Sequence, residues 1–135
     1  MRVFLDTNVL LDVFLKRVGA PASAAAITAC GEAGNQAFVA VHTLSNAFYL
    51  IEKQRSRAEA WDAIRDMLAW ADVARTSKAD ALWAVQSGMN DFEDALQLSA
   101  AMSCAADVVI TRNTTDFKSS AIVVMTPEDF LAAHP

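Results

Sequence analysis

Acidic residues stand at three points of the sequence where a strand is expected to end or a helix to begin. Asp6 follows a short apolar run, Asp91 and Asp94 lie in the first turn of a helical segment, and Asp116 lies in a polar loop after a second apolar run. Carboxylates that converge without basic partners repel one another unless a hard divalent cation neutralises them. Oxygen ligands of this kind suit Mg²⁺ or Mn²⁺. The acids therefore predict a site for such ions.

Local structure alone offers another explanation for most of these acids. Asp6 belongs to a residue type that often caps a turn, and Asn90 can cap the following helix, with Glu93 completing a capping box. Residues 111–118 are also consistent with an ordinary polar turn. Asp94 fits capping less well, because its helical line is otherwise expected to face the core. That line consists of Asp94, Leu98, Ala101 and Ala105. A half-buried carboxylate there needs a cation, a donor or a neighbour.

The elements that must position these acids alternate between strands and helices. Strand-like apolar runs occupy residues 2–6, 36–41, 72–75, 107–110 and 121–124. Helical patterns occupy residues 8–17, 21–33, 44–51, 61–71, 78–87 and 90–105, and a last helix is expected to begin at Pro127. This alternation favours a parallel sheet covered on both faces. Ligands of such sheets bind outside the carboxyl ends of the strands, where these acids are expected.

The pattern also gives finer expectations for single elements. Asn8 is expected to cap the first helix, and Pro127 suits the first turn of the last one. The helix around residues 61–71 carries its large apolar residues on one side, namely Trp61, Ile64, Met67, Leu68 and Ala71. Cys30 and Cys104 lack the spacing of a disulfide framework or a zinc site and are expected to be small buried residues.

Length and composition bound the class of protein. The 135 residues fit one domain spanning residues 1–135. Lys and Arg number 11 and Asp and Glu 16, so the net charge of −5 argues against a broad basic face for nucleic acid. The apolar stretches are too short for a membrane span, and Asp6 and Asp12 interrupt the N-terminal apolar segment, where a secretory signal would exclude acids. A cytoplasmic location with no membrane contact is expected.

Three motifs in order resemble those of the PIN-domain family. They are VFLDTNVLLD at residues 3–12, DFEDAL at residues 91–96 and ITRNTTDF at residues 110–117. The resemblance covers nearly the whole chain. It implies an α/β/α sandwich around a mostly parallel five-stranded sheet, and a metal-dependent endoribonuclease that hydrolyses RNA phosphodiesters, such as the toxin of a type II toxin–antitoxin pair. It further implies Mg²⁺ or Mn²⁺ as cofactor, RNA as substrate, an antitoxin protein as partner, and a homodimer.

The resemblance carries over to individual residues. Asp6, Asp94 and Asp116 match the metal-binding acids of the family, and Asp91 is an additional candidate that would hold a metal ion or a water molecule. Small polar residues are expected to support these acids or to donate to the phosphate, and they are Asn8, Asn46, Thr111 and Asn113. Positive charges expected to border the site and contact RNA are Lys16, Arg17, Arg112 and Lys118.

One departure from the family pattern leaves the activity open. PIN nucleases usually place a glutamate on the helix after the second strand, whereas this chain has Asn46, which offers a carbonyl oxygen but no charge. A PIN-fold module that binds nucleic acid or regulates without catalysis is therefore the alternative. Haloacid-dehalogenase-like and receiver-like phosphoryl-transfer folds fit less well. The first requires a second Asp where Asn8 stands, and the second requires an Asp at the end of the third strand, where Arg75 and Thr76 stand.

The acidity of the chain is largely local under this interpretation. Leaving out Asp6, Asp91, Asp94 and Asp116 leaves 12 acidic against 11 basic residues. Divalent cations bound by these acids would offset most of the net negative charge. The sequence therefore predicts that RNA binding depends on the metal.

Overall fold

The computed structural model describes residues 1–32, 34–117 and 120–135. Its strands are β1 (Arg2–Leu5), β2 (Gln36–Val39), β3 (Ala71–Val73), β4 (Val108–Ile110) and β5 (Val123–Met125). Its α-helices are α1 (Thr7–Phe14), α2 (Ala20–Cys30), α3 (Val41–Gln54), α4 (Arg57–Trp70), α5 (Lys78–Gln86), α6 (Phe92–Ser103) and α7 (Pro127–Ala133). A short 3-10 helix, Thr114–Phe117, lies between β4 and β5.

The five strands form one sheet in the order β3-β2-β1-β4-β5, and every neighbouring pair is parallel. This arrangement confirms the α/β architecture that the alternation of strands and helices predicts. β1 lies at the centre, and Leu5 at its end pairs with Ile110 at the end of β4. Asp6 and Thr111 follow directly, so the topology brings two separate polar segments to the same edge of the sheet.

Successive side chains of a strand point to opposite sides of the sheet, and packed residues cover the apolar side chains on both faces. On one face, Val3 and Leu5 of β1 join a core that includes residues of α1, α2, α3, α4 and α7. On the other face, Phe4 packs with Phe38, Val109 and residues of α6. α5 packs against the outside of α6. Asp6, at the carboxyl end of β1, is therefore attached to a strand that is packed on both faces.

Several element boundaries differ from the sequence prediction. α1 begins at Thr7 with Asp6 in the N-cap position, so the prediction that Asn8 caps this helix was wrong. The last strand starts at Val123, two residues later than predicted. Pro127 occupies the first turn of α7, as predicted. Both cysteines are free and buried, which confirms their expected role as small core residues.

The inward face of α4 also differs from the prediction. Ala60, Ala63 and Met67 are its buried residues, whereas Trp61 and Leu68 are 52% and 48% exposed. Small alanines let α4 pack closely on its neighbours, and the bulkier residues remain outside. Among the described residues, no helix is long and apolar enough to cross a membrane.

Candidate metal and active site

Asp6 is fixed at the carboxyl end of the central strand. Its backbone N–H donates to the carbonyl of Ile110 at 3.0 Å, which extends the pairing of β1 with β4. The residue is 2% exposed, and the hydroxyl of Thr111 donates to its Oδ2 at 2.8 Å. The Thr111 hydroxyl thus fixes the orientation of this carboxylate. Burial raises the pKa of Asp6 to about 6, although the Thr111 hydrogen bond acts in the opposite direction.

A second group of acids lies at the start of α6. The N-cap residue is Asp91, whose Oδ1 accepts from the backbone N–H of Asp94 at 2.9 Å, so Asn90, the cap that local structure alone suggests, does not take this position. Glu93 is not used in a capping box, because its carboxylate accepts from the side chain of Gln97. Ligand atoms of Asp91, Glu93 and Asp94 lie within 4.8 Å of one another.

Asp94 is the acid most perturbed by its surroundings. It is 9% exposed, and on its helical line Leu98 and Ala101 are buried as predicted, whereas Ala105 lies beyond the helix and is exposed. Burial raises the pKa of Asp94 to about 8, together with a hydrogen bond to Asp116 and the negative charges of Asp91, Asp6 and Glu93.

The loop after β4 brings a further acid to this cluster. Asp116 lies in the 3-10 helix and is exposed, and the amide of Asn113 donates to its Oδ2. Asp91, Asp94 and Asp116 share a groove of about 430 Å³. The structure therefore brings together the acids of all three motifs, and Asn113 supports Asp116.

These acids fit a hard divalent cation. All offer oxygen ligands, and the negative charges of neighbouring acids raise the pKa values of Asp6 and Asp94. In the part of the chain that the structure describes, no lysine or arginine pairs with Asp6, Asp91, Glu93, Asp94 or Asp116. A bound Mg²⁺ or Mn²⁺ ion would relieve this repulsion.

Comparison with known families decides what this arrangement belongs to. A family model described as PIN domain matches residues 2–115, which include Asp6, Asp91 and Asp94 and end one residue before Asp116. The chain belongs to the PIN-domain family. The resemblance of its motifs to that family is thereby confirmed. No curated protein shows a significant sequence match to this PIN domain.

Solved structures support the same fold at low sequence identity. The chain is similar to VapBC2 from Rickettsia felis bound to a promoter DNA fragment, with a TM-score of 0.73, 17% identity and coverage of 93% of this chain and 98% of the other. A toxin–antitoxin complex from Klebsiella pneumoniae has a TM-score of 0.70 and 23% identity, with coverage of 93% of this chain and 97% of the other. VapC20 from Mycobacterium tuberculosis, a toxin that cleaves the sarcin-ricin loop, has a TM-score of 0.67 and 12% identity, with coverage of 98% of this chain and 95% of the other. At these identities the likeness concerns the fold.

A buried polar network, absent from the sequence prediction, lies behind the acids of this PIN domain. Gln97 is fully buried, and its Nε2 lies 2.7 Å from the Thr7 hydroxyl, 3.1 Å from the Thr43 hydroxyl and 2.9 Å from Glu93 Oε1. The two threonine hydroxyls are 2.8 Å apart. His42 Nε2 lies 3.4 Å from the same oxygen of Glu93. The network ties α1, α3 and α6 together, and one polar residue within an otherwise apolar helix face was its only signal in the sequence.

Asn46 and Asn8 lie on the other side of the PIN-domain acids. Both line a groove of about 270 Å³ together with Thr7 and Glu93. Arg17 Nη1 lies 3.4 Å from Asn8 Oδ1, so this arginine stands beside the groove. Asn46 and Asn8 thus share a groove with Glu93, and Arg17 lies beside it.

The remaining basic residues are placed differently. Lys16 lines a separate groove between α1, α3 and α4, together with Arg55 and three acids of α4. Lys118 lies outside the described residues. Arg112 donates to Asp12, Glu128, Gly19 and Ser23. Its guanidinium therefore holds α1, α2 and α7 together. These contacts do not fit the RNA contact that the sequence suggests for Arg112.

The raised pKa values give this PIN domain a characteristic pH dependence without metal. The pKa of Asp6 is about 6 and that of Asp94 about 8, both above their unfolded value of 3.8. The folded protein therefore binds more protons than the unfolded chain between about pH 4 and pH 8, and its stability falls across this range. Glu93 has a lowered pKa, so its contribution to the stability of the folded protein is lost only below about pH 4.5. It therefore does not affect the change in stability between about pH 5 and about pH 8.

Thermal melts in chelator from about pH 5 to about pH 8 measure this effect. The melting temperature is expected to fall as the pH rises, and Asp94→Asn is expected to flatten the fall. Asp66→Asn on the exposed face of α4 serves as the matched control and should retain the wild-type slope. Saturating Mn²⁺ should stabilise the wild type most at the alkaline end, because the ion binds ionised carboxylates. A melting temperature that rises with pH in chelator would contradict the assigned environments.

Proposed function

We propose that this PIN domain is a metal-dependent endoribonuclease that hydrolyses RNA phosphodiesters and acts as the toxin of a type II toxin–antitoxin pair. The observation that carries the proposal is the convergence of Asp6, Asp94 and Asp116 at one edge of the sheet, where burial and mutual repulsion raise the pKa values of Asp6 and Asp94. Structural stability alone does not require such a cluster, whereas a divalent cation does. The similarity to toxin structures supports the same conclusion.

The roles of the residues follow from their positions. Asp6 and Asp94 hold a Mg²⁺ or Mn²⁺ ion, with Asp116 and Asp91 on its border. Thr111 and Asn113 keep Asp6 and Asp116 oriented through their hydrogen bonds. A divalent cation bound there supplies positive charge against the negative charge that develops on the phosphodiester during hydrolysis.

Residues around the acids position the substrate in this proposal. Asn46 and Asn8 present amides to the neighbouring groove, and Arg17 adds a positive charge beside it. The cation itself also attracts the phosphate backbone, because the acids would otherwise repel RNA. The proposed site is therefore assembled for RNA only in its metal-bound form.

The partners complete the proposal. An antitoxin protein would cover the acidic groove, as expected for a toxin of this kind, and the solved relatives include toxin–antitoxin complexes. Exposed apolar side chains such as Trp61, Leu82 and Val85 offer surface for a homodimer or for that partner. The single domain over residues 1–135 and the cytoplasmic location expected from the sequence belong to the same proposal.

The proposal is tested by measuring RNA cleavage and RNA binding at fixed salt concentration, with Mn²⁺ or with chelator. Cleavage of a structured RNA pool is expected only with the metal, and RNA affinity is expected to fall at least about tenfold in chelator, because the unneutralised acids repel phosphate. Equal affinity in both conditions would contradict the proposed role of the metal.

An inactive PIN-fold module that binds nucleic acid remains the second candidate, because Asn46 removes a charge that PIN nucleases usually carry. Tight Mn²⁺ binding without cleavage of any RNA in the pool would favour this candidate over the nuclease.

A further inference from the structure

The groove next to the acid cluster contains a compensation for Asn46. We propose that Glu93 of α6 supplies the carboxylate that α3 lacks at position 46, so that the ion is held by Asp6, Glu93 and Asp94. The inference rests on the proposed function, because it concerns the ion of the same site. It gives Glu93 a role as a metal ligand, in addition to any role in stabilising the start of α6.

The first support is the position of Glu93. It lines the same groove as Asn46, although the two residues come from different helices. Among the described residues that line this groove, it is also the only one with a carboxylate. Its ligand atom lies within 4.8 Å of those of Asp91 and Asp94. Glu93 can therefore reach both the place where a glutamate of α3 would extend and the acids at the start of α6.

The second support is the way the carboxylate is held. Gln97 Nε2 donates to Glu93 Oε1 at 2.9 Å, and His42 Nε2 lies 3.4 Å from the same atom. Oε2 takes part in neither contact. Oε1 of Glu93 is thus fixed to the protein, so an ion would be bound through Oε2.

The third support is the construction behind Glu93. Gln97 is fully buried and joined to the hydroxyls of Thr7 and Thr43, so Glu93 is held by a rigid network. Outer-shell partners of this type are what orient metal-ligating carboxylates. Within the described residues, the buried Gln97 Oε1 has no hydrogen-bond partner. An unpartnered buried acceptor beside a carboxylate cluster points to a polar ligand that the chain itself does not provide.

A role in helix stability alone is the competing explanation. Acids in the first turn of a helix complement its positive end, and side chains four residues apart, such as Glu93 and Gln97, can stabilise a helix by contacting each other. That role would change thermal stability when Glu93 is replaced, without changing metal affinity. The two explanations therefore separate on a binding measurement.

The experiment is a titration of the purified protein with Mn²⁺, followed by calorimetry and by the electron paramagnetic resonance of the free ion. The variants are Glu93→Gln, Asn46→Glu and the double variant that carries both changes. Glu32→Gln is the matched control, because Glu32 is exposed in the turn before β2, at the opposite edge of the sheet. Melting temperatures in chelator report on the folding of each variant.

Glu93→Gln is expected to weaken Mn²⁺ binding at least about tenfold, since even outer-shell partners cost about 10–100-fold. Glu32→Gln should match the wild type. The double variant should regain wild-type affinity to within about twofold, the usual scatter of additive changes. Asn46→Glu alone should increase the affinity for Mn²⁺ only slightly, because the carboxylate of Glu93 already binds the ion from that side.

Two results would overturn the inference while leaving the proposed metal site intact. One is a wild-type Mn²⁺ affinity in folded Glu93→Gln. The other is a gain of about tenfold or more in Asn46→Glu alone, which would mean that the place is empty; this variant decides the matter even when Glu93→Gln does not fold. A wild type that binds no Mn²⁺ would instead refute the proposed function, and the inference with it.

Discussion

Replacing Asp94 with asparagine is expected to reduce metal-dependent RNA cleavage at least about 100-fold. Loss of an outer-shell residue already costs about 10–100-fold in metal affinity or activity, and Asp94 is proposed as a direct ligand. Asp94 lies at the centre of the cluster, since Asp116, Asp91, Asp6 and Glu93 all act on its ionisation. The asparagine keeps the shape of the side chain, so the loss is one of charge.

The measurement is the initial rate of cleavage over a range of Mn²⁺ concentrations, with Asp66→Asn as a control for loss of one exposed carboxylate from α4. Asp94→Asn should fold at least as well as the wild type in chelator, because it relieves repulsion. Asp6→Asn should lose activity to a similar extent. Cleavage by either folded variant at the wild-type rate would remove that acid from the proposed site.

Replacing Arg112 with alanine is expected to destabilise the protein by about 3 kcal/mol or more, the cost of leaving one partner of a buried ion pair alone. Arg112 Nε donates to Asp12 Oδ2 at 2.8 Å, and Asp12 is only 6% exposed. The guanidinium also donates to the carbonyl of Gly19 and to Glu128. A Cβ atom on Gly19 would stand 2.5 Å from Arg112 Nη2, so the glycine is needed for this close approach.

Chemical denaturation compares Arg112→Ala with Arg65→Ala, whose exposed ion pair with Asp62 is expected to contribute less than about 1 kcal/mol. Adding Asp12→Asn to Arg112→Ala should recover part of the loss, because the buried charge is then absent. Arg112→Lys should rescue poorly, since an ammonium cannot reproduce the forked contacts. A loss below about 1 kcal/mol in Arg112→Ala would show that the network is not structural.

The placement of the acids was predictable because it follows from strand order and polarity. Each parallel strand delivers the residue after it to the same edge of the sheet, so Asp6 and the loop after β4 had to meet there. Asp94 was identified by a charge on an otherwise core-facing line of α6. These inferences need only the period of the pattern and the direction of the strands.

The errors have a common physical origin in what the side chains contact beyond their own element. Asp6 and Asp91, rather than Asn8 and Asn90, occupy the N-cap positions, although only the side chain of Asp91 accepts a capping hydrogen bond. Helix starts therefore depend on tertiary contacts as well as on the capping ability of adjacent polar residues. The face of α4 that packs inward is set by alanines that allow close approach, which hydrophobicity does not favour. The packing of neighbouring elements therefore decides which side of a helix faces the core.

Arg112 and Gln97 show the same limit at the level of single side chains. Arg112 looks like a phosphate ligand in a polar loop, and only the return of α1, α2 and α7 to that point gives it Asp12, Gly19 and Glu128 as partners. Gln97 reaches Thr7 across 90 positions of the sequence. Contacts of this kind arise from the complete fold and have no local signature.

The most direct test of the account is a crystal of the protein grown with MnCl₂ and measured near the manganese absorption edge. The predicted result is an anomalous peak in contact with carboxylate oxygens of Asp6, which follows β1, and of Asp94 in the first turn of α6. A map without such a peak, from crystals at a Mn²⁺ concentration that supports RNA cleavage in solution, would contradict the claim that these acids hold the ion.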